Sequence, residues 1–298
     1  MTFIDEYRQS YSVESICKVL LIAPSTYYRQ KNIELMPEQR SHRAQKDEKI
    51  LVEIHRVWKE SDENYGAYKV WRQLQSESIV VARCTVERLM QLHGYRGVRR
   101  GGYKPVTTNS NTNDEKPLDL VKRQFTADAP NQLWVADLTY VRVRSGFVYM
   151  AFVIDVFSRF IVGWRVLNTM KTDLVLDAFE QALWLRGKPY NTIHHSDHGS
   201  QYLSIRYAER LQQAGFRASV GSVGDSYDNA LAETINGLYK TEVIEKRALW
   251  EGADEVEYAT LVWVDWFNNK RIHTAIDDKS PAQFEMRYYQ NREAGYAA

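Results

Sequence analysis

The sequence predicts an α/β protein: a mixed five-stranded sheet with flanking helices, preceded by an all-α region with helix-turn-helix outlines. Three observations predict it. Beyond Pro130 the patterning runs strand, strand, strand, helix, strand, helix, strand, helix. Before Gly101 only helical periodicity is present. Between the two lies 101–117, GGYKPVTTNSNTNDEKP, a polar stretch nearly free of large aliphatics and suited to a domain boundary. The expected division is a helix-turn-helix-like segment over 1–45, a helix-turn-helix domain over 46–104 and a linker over 105–128. An α/β core over 129–249 and a helical extension over 250–298 complete it.

Taken in order, 11–30 reads as two short helices interrupted at Ala23-Pro24. Ile16, Val19 and Leu20 share one face of the first, and Ser25 is placed to cap the second. A charged amphipathic helix follows over 46–60. A second helix-turn-helix outline then pairs Tyr68–Leu74 with Cys84–Met90, with Val70, Leu74, Val86 and Leu89 as its shared core. Arg83, Thr85 and Arg88 face outward near the start of the second helix, where side chains that read a DNA major groove sit. Arg96, Arg99, Arg100 and Lys104 follow without an intervening acid, a local basic patch suited to phosphate contacts. A solvated charge run is the plainer reading of the same residues.

In the second half, Trp134–Val143, Val148–Asp155 and Phe160–Val166 read as three strands of an antiparallel meander, with Arg144-Ser145-Gly146 as a turn. Asp173–Leu185 is helical, Asn191–His195 a short strand ending at Asp197, Ser200–Ala214 a helix, Phe216–Val220 a strand and Asn229–Lys246 a long helix.

Composition narrows the function. The chain is 44% hydrophobic and 26% charged, ordinary for a globular protein, and its net charge of +1 excludes a polybasic coat. Cys17 and Cys84 stand far apart with no C-x-x-C, so neither a zinc site nor a disulfide framework is expected. The N-terminus lacks the charge and apolar pattern of a signal peptide, and the most apolar run, Ala151–Trp164, is interrupted by Asp155 and Arg159. A cytoplasmic location is the expectation.

Three acids stand out. Asp137 lies inside an apolar strand, where a carboxylate is costly unless compensated. Asp197 ends the fourth strand, at the edge where open sheets form their sites. Glu233 falls in the early turns of the last helix, which Asp228 is placed to cap. Lys240 lies seven residues on and therefore shares its face, with Asn236 and Gly237 between them leaving room for a large ligand. Converging carboxylates repel unless a cation joins them, and oxygen-only ligands suit Mg²⁺ or Mn²⁺. Asp155 is the rival acid, at the end of another apolar strand. His194, His195 and His198 suggest zinc, but no H-x-x-x-H helix accompanies them; orientation of Asp197 is the better reading. A serine hydrolase is disfavoured because Gly221-Ser222-Val223-Gly224 is no nucleophile elbow.

Three stretches carry a family resemblance: NQLWVADLTY at 131–140, HSDHGSQY at 195–202, and DNALAET continuing to LYKTE at 228–242. Together they resemble the catalytic motifs of DDE insertion-sequence transposases of the OrfB type, whose core is similar to retroviral integrase. Between Asp197 and Glu233 lie 35 residues, the interval of that family. Trp266-Phe267-Asn268, Arg271-Ile272-His273 and Ser280-Pro281 resemble the family's C-terminal segment, and YGAYKVWRQL with ARCTVERLM its N-terminal one.

The resemblance implies a ribonuclease-H-like core in which Asp137, Asp197 and Glu233 are catalytic and hold two Mg²⁺ (or Mn²⁺) ions. It implies that Lys240 contacts DNA near the element's end and that Asn229 belongs to the same DNA-binding motif. It further implies cleavage and strand transfer on double-stranded DNA, a homo-oligomer on DNA, and an OrfA protein or OrfAB fusion as partner. Two other functions fit the outlines less well: a DNA-binding regulator with an inactive core, and a ribonuclease-H-like nuclease.

Overall fold

The computed structural model describes residues 1–36, 38, 40–99, 119–122, 124–197, 199–221 and 229–296. The chain divides into two compact units, Met1–Gly97 and Val98–Ala298.

The first unit is helical: α1 Thr2–Tyr7, α2 Val13–Val19, α3 Pro24–Leu35, α4 His42–Glu60, α5 Ala67–Ser76 and α6 Arg83–Leu92. Ser12 caps α2 by accepting the Ser15 N–H at 3.2 Å. The expected cap of α3, Ser25, is inside the helix instead: Ala23 is the cap residue and Pro24 opens the first turn. Proline is suited there because its missing N–H would have had no helical partner. The expected apolar face of α2 also differs. Ile16 and Cys17 are buried with Ile4 and Tyr27, whereas Val19 and Leu20 are exposed at the turn. The four expected core residues of the second helix pair, Val70, Leu74, Val86 and Leu89, are all buried, with Ile54 and Val57 of α4 buried alongside.

The second unit is built on a sheet ordered β3-β2-β1-β4-β5. Its strands are β1 Leu133–Val143, β2 Gly146–Asp155, β3 Ile161–Leu167, β4 Ile193–Ser196 and β5 Arg217–Val220. The first three form an antiparallel meander; β4 and β5 run parallel to β1. Helices α7 Thr172–Leu185, α8 Ile205–Gln213, α9 Ala230–Glu242, α10 Ala253–Asn269 and α11 Pro281–Tyr296 surround it. This mixed five-stranded sheet with flanking helices is the ribonuclease-H-like arrangement expected.

Strand alternation sorts side chains onto two faces. Trp134 and Ala136 point into a core with Leu174, Phe179, Tyr207 and Phe216, on the side of α7 and α8. Leu133 and Val135 point into the opposite core with Leu231, Ile235, Tyr239, Trp263 and Phe267, on the side of α9 and α10. The segment after residue 250, expected as an extension, therefore supplies part of the sheet's own core. Gly163 of β3 lets α7 close in: a Cβ there would lie 2.0 Å from the Ala178 carbonyl oxygen, so no other residue fits without moving the helix.

The long final helix expected over 229–246 stops at Glu242, and a short 3₁₀ turn covers Ile244–Lys246. The helix expected from Ser200 starts at Ile205, because Ser204 caps it by accepting the Tyr207 N–H at 3.3 Å.

Candidate active site

The register of β1 against β4 creates the site. Ala136 pairs with Ser196 in this parallel ladder, so Asp137 and Asp197 are the next residues along each chain. Alternation from Leu133 and Val135 turns Asp137 towards α9. The helix responds with Asn236, whose Nδ2 donates to Asp137 Oδ2 at 2.8 Å and reaches the Leu138 carbonyl at 3.4 Å. The Leu138 N–H donates to Asp137 Oδ1 at 2.8 Å, so both carboxylate oxygens are held. Asp197 Oδ1 accepts the Gly199 N–H at 3.0 Å. Glu233 lies one turn before Asn236, half-buried on α9.

Burial raises the Asp137 pKa well above the ordinary carboxylate range, and the charge of Asp197 raises it further. Glu233 adds a weaker push in the same direction, against the lowering effect of the bonds from Leu138 and Asn236. Both other acids therefore act on Asp137 electrostatically. Among the described residues no three His, Cys, Asp or Glu side chains stand together closely enough to form a ready metal-binding group.

The donor chemistry nonetheless fits a hard divalent cation. The donors are carboxylate and amide oxygens, the carboxylates repel, and Asn236 Oδ1, beside Asp137, is buried with no hydrogen-bond partner among the described residues. A cation relieves both the repulsion and the unmet acceptor.

Lys240, two turns beyond Glu233, is half-buried with its Nζ 5.1 Å from the centre of the Tyr140 ring. Desolvation lowers its pKa, and the charge of Asp137 partly restores it. Asn229 is the cap residue of α9, the place expected for Asp228, which lies outside the described residues. Asn229 is buried, and its Nδ2 donates to the Ala136 carbonyl at 2.9 Å, fastening the start of α9 to β1 one residue before Asp137.

Sequence reasoning read Asn236 as leaving space. It is instead the side chain that ties α9 to Asp137. The signal available was its position one turn after Glu233 on the face that carries Lys240.

Of the histidines, His198 lies outside the described residues. His195 Nδ1 is 2.8 Å from Ser219 Oγ, and His194 Nε2 is 3.0 Å from the Tyr207 hydroxyl, inside the α7–α8 core. Burial holds the His194 pKa down at about 3, so the ring is neutral in the fold. A depressed histidine pKa gives stability that is complete above the unfolded value of about 6.5 and is lost as pH falls. Between pH 6.5 and 5 the loss from this group is about 2 kcal/mol. Asp155 opposes it: burial raises its pKa to about 6, so its protonation favours the fold across part of the same range. Denaturant titrations from pH 7 to 5 of wild type and His194→Gln isolate the histidine. The expected result is that the variant's stability falls less steeply on acidification; equal slopes would contradict this.

In the helical unit, Arg83 is exposed at the start of α6, paired with Glu87 at 2.7 Å and 5.4 Å from the Tyr68 ring centre. Thr85 is half-buried. Arg88 donates to both oxygens of Asp47 at 2.8 Å, so here it binds α6 to α4. Arg96 and Arg99 are exposed, whereas Arg100 and Lys104 lie outside the described residues.

Comparison with known proteins adds to this geometry. A family model described as Integrase core domain matches residues 127–226, and a second of the same description matches 214–281. A model described as HTH-like domain matches residues 45–103. The chain is 53% identical over 289 residues to a transposase for insertion sequence element IS629 from Shigella sonnei, covering 97% of this chain and 96% of that one. It is 50% identical over 277 residues to a putative transposase for IS986/IS6110 from Mycobacterium tuberculosis, covering 91% of this chain and 98% of the relative. A transposase for IS904 from Lactococcus lactis is 36% identical over 250 residues, 83% of this chain and 97% of its own. Among solved structures, the integrase catalytic core domain of HTLV-2 in complex with magnesium matches with a TM-score of 0.42 and 20% identity, over 53% of this chain and 98% of that one.

Proposed function

Starting from the fact that this chain belongs to the insertion-sequence transposases, proteins of DNA transposition with an integrase-type core, we propose that Asp137, Asp197 and Glu233 are its catalytic carboxylates. Polynucleotidyl transfer on DNA is the family's activity, and the assignment of residues to it is the proposal. The observation that carries it is the β1–β4 register, which sets Asp137 beside Asp197 while α9 brings Glu233 and Asn236 over the same strand.

Asp137, Asp197 and Glu233 would hold two Mg²⁺ or Mn²⁺ ions. Such ions supply charge neutralisation at the attacking and departing oxygens of an in-line phosphoryl transfer. The chain's residues supply the placement. Asn236 and the Leu138 N–H keep Asp137 in one orientation. Asn229 fixes the start of α9, and with it the position of Glu233. Lys240, desolvated over Tyr140, offers a cation to a DNA phosphate beside the acids.

The reaction has two displacements. In the first, a water oxygen bonds to phosphorus at the element's end and the bond to the 3′-oxygen breaks, leaving a 3′-hydroxyl. In the second, that hydroxyl bonds to a target phosphorus and displaces a target 3′-oxygen. No covalent bond to the protein forms, so positioning and charge account for the catalysis.

The helical residues 46–104 grip DNA in this reading, with Arg83, Thr85, Arg96, Arg99 and Arg100 as contacts. Arg88 joins them only if it leaves Asp47. Residues 129–249 carry the chemistry, supported by the helices after 250. Joining two element ends calls for at least two protomers, and an OrfA partner or fusion adds end recognition.

The experiment is metal-dependent nicking of an end-labelled duplex carrying the element's terminus. Wild type releases the 3′-hydroxyl product with Mg²⁺ or Mn²⁺, and Asp197→Asn releases none while still binding the duplex. Equal nicking by the two proteins would remove Asp197 from the site.

A further inference from the structure

The turn that carries Asp197 ends in a buried hydroxyl. After Asp197 the chain doubles back, with the Tyr202 N–H donating to the Gly199 carbonyl at 3.0 Å and the Leu203 N–H to the same oxygen at 3.2 Å. Gln201 Nε2 pins the turn to the Met170 carbonyl at 3.2 Å, and Ser204 Oγ donates to the Gln201 carbonyl at 2.9 Å. This arrangement drives the Tyr202 ring into the core between the sheet and α8. It is 5% exposed, with its ring centre 5.5 Å from that of Tyr207 and 6.5 Å from that of His194.

The two tyrosines of this layer differ at their hydroxyls. Tyr207 meets His194 Nε2 at 3.0 Å. The Tyr202 hydroxyl is buried with no hydrogen-bond partner among the described residues. A phenol in that position is worse for the resting fold than the phenylalanine that would pack in the same space. A group kept at a cost to the resting state points to a second state in which it is satisfied.

The acceptors within influence are the acids. Besides burial and Tyr207, the charges that raise the Tyr202 pKa are those of Asp197 and Asp137. Gly199 adjoins both ring and carboxylate: a Cβ built there would lie 3.0 Å from Asp197 Oδ1, 3.3 Å from Gln201 Oε1 and 3.5 Å from Tyr202 Cδ2.

We propose that Tyr202 is a positioning residue whose hydroxyl donates to the Asp197 carboxylate when Asp197 takes up a divalent cation. The Gly199 N–H already holds one oxygen of that carboxylate. A second donor on the protein side leaves one orientation for the lone pairs that face the cation. The role rests on the reading of Asp197 as a ligand, given above.

The test is calorimetric titration of the full chain with Mn²⁺, in the absence of DNA, for wild type, Tyr202→Phe and Asp137→Asn, alongside metal-free thermal melts. The expected result for Tyr202→Phe is an affinity for Mn²⁺ lower by about tenfold, the usual effect of removing an outer hydrogen bond to a ligand. Its metal-free melting temperature should be unchanged or higher, because only an unsatisfied hydroxyl has gone. Wild-type affinity in Tyr202→Phe, with binding still abolished by Asp137→Asn, would overturn the tyrosine's role and leave the acid site standing. Weaker binding accompanied by a lower metal-free melting temperature would also overturn it, since the ring would then be acting through packing. Wild-type Mn²⁺ binding indifferent to Asp137→Asn would overturn the acid site and the tyrosine's role together.

Discussion

Replacing Asp137 with asparagine is expected to abolish nicking and strand transfer while raising the melting temperature of the metal-free protein. The two effects come from one carboxylate. Asp137 sits where burial and the charges of Asp197 and Glu233 all favour its protonated form. A carboxylate with a raised folded pKa contributes stability that is complete below its unfolded value, near 4, and lost as pH rises through the folded value. At neutral pH the wild type carries that cost, and the amide does not. Asparagine keeps the shape, and its side-chain oxygen can still accept from Asn236 or Leu138. The loss of activity should be about 10³-fold or more, as when one member of a catalytic unit is removed. Melting in EDTA together with a nicking assay measures both. A variant that is both less stable and inactive would mean that Asp137 is a structural acid.

Arg271→Ala is expected to cause the largest loss of stability. Arg271 and Glu242 are both buried, with side-chain exposures of 4% and 7%. Arg271 Nε lies 3.1 and 3.0 Å from the two oxygens of Glu242. Trp263 Nε1 donates to Glu242 Oε2 at 3.0 Å. Removing the guanidinium leaves the Glu242 carboxylate buried with only the Trp263 indole N–H donating to it among the described residues, at a cost of about 3–5 kcal/mol. For a unit of this size that lowers the melting temperature by roughly 10 °C. The double variant Glu242→Leu/Arg271→Leu should recover most of the loss, because no buried charge is then left unpaired. Differential scanning calorimetry of the three proteins decides it; a single-variant cost below about 1 kcal/mol would show that the pair is solvated in solution. The pair fastens the end of α9 to the chain that follows α10, which makes it part of the framework that sets Glu233.

Much of this arrangement was legible in the sequence because the physics behind it is local. All five strands were marked in the sequence as short apolar runs, since each packs side chains against a core. Asp137 stood out because a charge within an apolar strand demands an explanation. The helix pair α5–α6 was readable from four apolar positions that are all buried.

What escaped depends on partners distant in the chain. Asn236 bonds to a residue 99 positions earlier, and Asn229 to one 93 positions earlier. Neither pairing leaves a periodic trace, so Asn236 read as open space and the hold of Asn229 on β1 went unseen. Arg88 read as outward-facing because helical phase says nothing of Asp47, 41 residues away. Burial of α10 against the sheet was likewise hidden, because α10 shows apolar side chains on its exposed side too: Tyr258, Leu261 and Val262.

The account's central claim is that Asp137, Asp197 and Glu233 form one catalytic centre for DNA strand transfer. Glu233 is its most exacting member, on a separate helix and repelling the Asp137 carboxylate less than Asp197 does. The most direct measurement is transfer of a labelled duplex with a recessed element-end 3′-hydroxyl into plasmid, with Mg²⁺ or Mn²⁺, for wild type and Glu233→Gln. The account predicts joined products from wild type and none from the variant, with duplex binding equal in both. Joined products in equal yield from the two proteins would contradict it.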